Sequence, residues 1–124
     1  MKEFHKESLA VELGRKTKEE ALEELRKGLV FAMRYGTAFV IDVGRIVPDF
    51  KVQWKDEEVF PIEQICDFDE WRKRKNYMKI VKPDENHDVA GNKHSYVMQP
   101  EFNIVFLATY TTDEAMVRFV RNIP

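Results

Sequence analysis

Apolar and polar positions along the chain change period several times, and each change marks an element. Ala21, Leu22, Leu25, Leu29, Ala32 and Met33 recur at three and four residues while Glu23, Glu24, Arg26 and Lys27 fall on other faces, which predicts an amphipathic helix with one buried stripe. Its start is marked by Thr17-Lys18-Glu19-Glu20, a T-x-x-E capping box, and its end by Gly36 after Arg34-Tyr35. The period is then lost. Ala38-Phe39-Val40-Ile41 is a continuous apolar run closing on Asp42-Val43-Gly44, the pattern of a central parallel strand buried on both faces. A second such run spans Phe102 to Tyr110, followed by Thr111 and Glu114 at capping-box spacing and by Met116, Val117, Phe119 and Val120, so a short last helix is expected.

The segments between and before these elements are less regular. Residues 1–16 are charged, with Leu9, Val11 and Leu13 the only regular apolar spacing, and read as an N-terminal arm ahead of a single α/β domain over 17–124. Pro48, Pro61 and Pro83 punctuate the middle, where Asp56 to Glu70 is acidic and Arg72 to Lys82 basic. Ile62 to Arg74 is expected to be helical, Tyr77 to Val81 a short edge strand, and Pro83 to Ser95 a polar surface loop.

Composition narrows the class of protein. With 124 residues, 44% hydrophobic and 34% charged, the chain is long enough for one core with a solvated surface. A net charge of −2 argues against broad affinity for a phosphate backbone, leaving only a local patch for nucleic acid. Cys66 is the single cysteine, so an internal disulfide is impossible and a reducing, cytoplasmic setting is expected. No apolar run approaches the roughly 20 residues needed to cross a bilayer, and we expect neither a signal peptide nor a membrane partner.

Two blocks carry a family resemblance. Ala32-Met33-Arg34-Tyr35-Gly36-Thr37-Ala38-Phe39-Val40-Ile41 resembles the alanine-x-arginine-aromatic-glycine block of the degenerate ATPase modules of dynein heavy chains, and Pro100-Glu101-Phe102-Asn103-Ile104-Val105-Phe106-Leu107-Ala108-Thr109 is similar to a later strand of the same modules. The resemblance covers residues 20 to 110 and implies the carboxyl-terminal half of an AAA+ P-loop fold: a small, three-layer-like half-sheet with parallel central strands and flanking helices. It places Asp42 at the strand-end aspartate that helps to hold Mg²⁺ and Thr109 at the polar sensor of the neighbouring strand, both as vestigial cofactor positions. Departures from the pattern remove the chemistry. No G-x-x-x-x-G-K-[ST] occurs, and Val43 stands where active modules carry a glutamate that activates water. The expected function is therefore a non-catalytic, cofactor-free assembly module, in a cytoplasmic, dynein-related or ciliary setting. A split ATPase completed in trans, and a nucleic-acid adaptor, are the alternatives.

Other positions carry weaker chemical signals. Gly14-Arg15-Lys16-Thr17 resembles the tail of a phosphate loop but has an extra residue between glycine and lysine, and reads as a helix cap. His87, Asp88 and His94 match no standard metal spacing. Cys66, followed by the acidic Asp67 and Asp69, is expected to have a raised pKa and to serve as a small apolar residue. The most distinctive segment is Trp71-Arg72-Lys73-Arg74-Lys75-Asn76-Tyr77, four successive cations flanked by aromatics. Trp71, Arg72, Lys73, Arg74, Lys75 and Tyr77 would form a docking face for an acidic axonemal or cytoskeletal protein such as tubulin. The alternatives are a solvated helix end whose Trp71 faces the core, and a nucleic-acid adaptor whose basic segment, residues 71–79, tracks phosphates. A small parallel sheet also leaves an uncovered edge, which predicts pairing with another copy or another protein.

Overall fold

The structure is a computed structural model and describes residues 2–122. The remaining terminal residues of the sequence-level arm and domain, Met1, Ile123 and Pro124, lie outside the described residues. A three-stranded parallel sheet has the order β1 (Lys2–Glu3), β2 (Ala38–Gly44), β3 (Asn103–Ala108). Helices α1 (Phe4–Glu12), α2 (Lys18–Tyr35) and α6 (Asp113–Asn122) accompany it. Three single-turn helices, α3 (Ile62–Ile65), α4 (Phe68–Trp71) and α5 (Arg74–Tyr77), lie in the crossover between β2 and β3. The fold is thus the expected α/β half-sheet, with β2 central and parallel to β3.

Helix α2 forms where the apolar spacing puts it. The Thr17 hydroxyl accepts from the Glu20 N–H at 3.1 Å, and the Glu20 carboxylate accepts from the Thr17 N–H at 3.4 Å, so two free donors of the first turn are satisfied. Gly36 ends the helix at φ +69°, a left-handed conformation that disfavours any side chain. A Cβ there would also sit 2.8 Å from the Cβ of Gln99. One expectation fails inside the helix. Arg26, placed by its spacing on a solvated face, is buried, because its guanidinium reaches the Ile80 carbonyl at 2.8 Å and the carboxylates of Glu23 and Glu85.

The sheet is layered on one side more fully than on the other. Phe39 pairs with Ile104 and Ile41 with Phe106, and this face carries the core; Phe39, Ile41 and Val43 are buried. On the opposite face, Val40 is level with Val105 and Asp42 with Leu107. Val105 and Leu107 there are 40% and 45% exposed. The expectation that both apolar runs are buried on two faces is therefore corrected: the second face of β3 has no layer over it among the described residues.

An aromatic chain ties the N-terminal segment to the rest. Phe4 meets the Trp54 ring edge-on at 4.7 Å and Phe50 at 5.4 Å; Phe50 meets Phe106 at 5.5 Å, and Phe106 meets Phe119 of α6 at 6.1 Å. Residues 2–12, read from sequence as an arm, form β1 and α1 because burial of Phe4 fixes them, together with pairing of Lys2 and Glu3 beside Ile41 and Asp42.

Three local expectations are also revised. Ile62 to Arg74 is broken at Asp67, whose carboxylate accepts from the Glu70 N–H at 3.3 Å and starts a new turn. Tyr77 to Val81 is not a strand, since Tyr77 to Ile80 is helical and only Val81 is extended: the spacing of Tyr77 and Ile80 buries both from consecutive turns of α5 and a 3₁₀ segment, Met78–Ile80. The cap of α6 is Thr112 rather than Thr111, its hydroxyl accepting from the Ala115 N–H at 3.2 Å.

Candidate functional site

At the carboxyl ends of β2 and β3, where open parallel sheets bind their ligands, a cleft of about 690 Å³ is lined by His5, Ser8, Glu12, Asp42, Gly44, Arg45, Asp49 and Thr109, among others. The two residues singled out as vestigial cofactor positions, Asp42 and Thr109, are brought together here. An extra residue in β2 aligns Gly44, not Val43, with Ala108. The turn this makes directs the Gly44 N–H onto the Asp42 carboxylate at 2.9 Å, while the Thr109 N–H donates to the Gly44 carbonyl at 2.7 Å. The other Asp42 oxygen lies 3.7 Å from His5 Nε2. Gly44 has φ +59°, and a Cβ on it would lie 3.1 Å from the His5 ring.

The chemistry of the cleft disfavours a polyphosphate. Three carboxylates, Glu12, Asp42 and Asp49, line it against one guanidinium, Arg45, so its field opposes an anion of high charge. Lys16, the cation of the phosphate-loop-like stretch, pairs instead with Glu7 at 2.8 Å, and Thr17 caps α2.

The basic segment is more structural than its composition implies. Trp71 and Tyr77 are 1% and 4% exposed, and so belong to the core. Arg72 donates to the carbonyls of Pro100 and Phe102, and its guanidinium lies 4.0 Å from the centre of the Phe68 ring. Arg74 donates to the Tyr96 carbonyl. These two cations anchor α4 and α5 to the irregular segment that leads into β3. Lys73 pairs with Glu70 at 2.7 Å, and Lys75 is exposed. The six residues therefore do not form one free face.

The remaining candidates have local roles. Asp88 accepts from the Ala90 and Asn92 N–H groups and from Asn92 Nδ2, bonds that hold its carboxyl below the usual range and close a loop. His94 adopts φ +62° in that loop. Among the described residues no group of three or more His, Cys, Asp or Glu side chains is placed to hold a metal. Burial pushes the Cys66 thiol up to about 11, the expected direction but with desolvation rather than acidic neighbours as the cause. Among the described residues no helix is long and apolar enough to cross a membrane.

The feature that sequence reasoning left without residue numbers is the flank of β3. Its outer side pairs with no strand among the described residues. From Asn103 to Ala108 it carries no charge and no proline, although natural sheets blunt their free edges with both. That Ile104, Val105, Phe106, Leu107 and Ala108 form a continuous apolar run, two sets of side chains on alternate faces, was visible in the sequence. Which set faces outward was not, because that depends on layers contributed from elsewhere. No protein-family model, curated protein or solved structure matches this chain.

Proposed function

We propose that this chain is a non-catalytic protein-interaction module whose β3 edge accepts an extended segment of a partner protein. The observation that carries the reading is an unprotected edge strand with Val105 and Leu107 exposed beside it. Such a strand offers backbone donors and acceptors beyond the Ile104 N–H, which donates to Asn103 Oδ1 at 2.9 Å, and strand addition is a general way of binding a peptide through them. The acidic lining of the strand-end cleft disfavours ATP, and so weighs against an ATPase. The dynein-like blocks at residues 32–41 and 100–109 motivate the setting, a dynein-related or ciliary assembly with axonemal or cytoskeletal partners.

The edge is tested by affinity capture from ciliated-cell extract on the wild-type chain and on Val105→Lys/Leu107→Lys, which adds the charges that natural edges use. The expected result is a reproducible set of proteins held by the wild type and reduced at least tenfold on the variant, with both chains equally stable to heat. Equal recovery on both would contradict the reading. Sedimentation of the isolated chain separates a partner protein from a second copy: a monomer is expected, and a dimer that Val105→Lys/Leu107→Lys dissolves would make this chain its own partner.

A second reading, the split ATPase, draws on one observation: Asp42 and Thr109 share the cleft. Titration of labelled ATP with Mg²⁺, alone and with captured partners, tests it. No saturable binding is expected, and micromolar binding would favour the enzyme.

A further inference from the structure

Where β3 begins, a second and smaller pocket of about 230 Å³ is walled by Ile65, Phe68, Trp71, Arg72, Phe102 and Ile104, with further residues around them. It lies below the roughly 300–1,000 Å³ that encloses whole drug-sized ligands, and suits one side chain with the peptide group beside it. Two of its walls carry unused hydrogen-bond donors. Trp71 Nε1 and Arg72 Nε are both buried, and neither has an acceptor among the described residues. Buried donors almost always have partners, since leaving one unmade forfeits its hydration for nothing. Arg72 donates to neutral acceptors, the Pro100 and Phe102 carbonyls and the Met98 sulfur. The outer wall is Phe68, 58% exposed and stacked on the Arg72 guanidinium.

We propose that this pocket receives one apolar side chain of a bound peptide segment, with peptide carbonyls beside that side chain accepting from Trp71 Nε1 and Arg72 Nε. The apolar walls remove the side chain from water, and the two donors fix the position of the backbone that carries it. Asn103 and Ile104 belong to β3, so a strand laid along the β3 edge passes the pocket mouth, and the pocket sets which residue of that strand is preferred. The inference rests on the reading of this chain as a protein-binding module.

The test uses the full chain labelled with ¹⁵N. The indole N–H of Trp71 gives its own amide-correlation signal, assigned by comparison with Trp54→Phe, and moves downfield when an acceptor reaches it. The probes are N-acetyl-leucine methylamide, which carries the side chain and its peptide groups, and N-methylacetamide, which carries a peptide group alone. The expected result is a saturable downfield shift of the Trp71 signal with the leucine probe, a still Trp54 signal, and at least tenfold weaker response to N-methylacetamide. A Trp71 signal that stays in place to the solubility limit, or that moves equally with both probes, overturns the proposal. The edge fails separately. Capture lost on Val105→Lys/Leu107→Lys with a silent Trp71 signal refutes the pocket alone, whereas a shifting Trp71 with unchanged capture upholds the pocket and refutes the edge.

Discussion

Arg26 shows how far a single side chain reaches in this small protein. Its guanidinium joins the middle of α2 to the Ile80 carbonyl and to Glu85, residues more than fifty positions along the chain. Breaking a buried pair by removing one partner costs about 3–5 kcal/mol, because the carboxylate and carbonyl left behind lose their donor. Arg26→Met is therefore expected to lower the unfolding free energy by about that amount in a urea titration. The same cluster predicts a pH dependence. The Arg26 guanidinium holds the Glu23 carboxyl down at about 2, with Lys82 assisting. For Glu85 burial pushes upward, but the bonds from Arg26 and from the Lys82 N–H outweigh it, so that carboxyl too lies below its ordinary value. A carboxylate whose pKa is depressed by folding contributes stability that is complete above its unfolded pKa and lost as pH falls toward the folded one. The melting temperature should fall as pH is lowered from about 4.5 toward 2, and the fall should be shallower in Arg26→Met.

Among the elements, α2 was the most legible, since its cap, its apolar stripe and its terminating glycine are all local signals. Gly36 makes that legibility testable. Gly36→Ala places a side chain in a left-handed conformation, at about 1–2 kcal/mol, and drives its Cβ into Gln99. We expect a loss of at least that size by thermal melting, with little change in helix content by circular dichroism. Strands β2 and β3 and their parallel pairing were legible as elements, but their exposure was not. A continuous apolar run reads the same whether one or both faces are covered. The middle of the chain was the least legible. Phe50, Trp54 and Phe60 are buried from a segment with no periodicity, where irregular backbone rather than a repeat aims each ring. Likewise Arg72 and Arg74 read as a charge run because the acceptors they bind are backbone carbonyls, which leave no mark in a sequence.

For the whole molecule, the aromatic chain from Phe4 through Phe50 and Phe106 to Phe119 closes one side of the sheet, while β3 keeps a bare flank on the other. Asp42 and Thr109, linked in the sequence only through the family resemblance, line one cleft at the strand ends, and its carboxylate-rich lining comes from residues such as Glu12 and Asp49 that no motif connected to it. Of the residues expected to dock a partner at 71–77, Trp71 and Tyr77 are buried and Arg72 and Arg74 bind backbone carbonyls, while the outer side of β3 pairs with no strand among the described residues and is the surface that the proposed reading gives to a partner. Amide hydrogen exchange over Asn103–Ala108 tests this most directly, in the isolated chain and again with a captured partner bound. The account predicts that the amides turned away from β2 exchange freely in the isolated chain and become protected in the complex. Exchange at those amides that is already slow in the isolated monomer, or that stays fast while the partner remains bound, would contradict it.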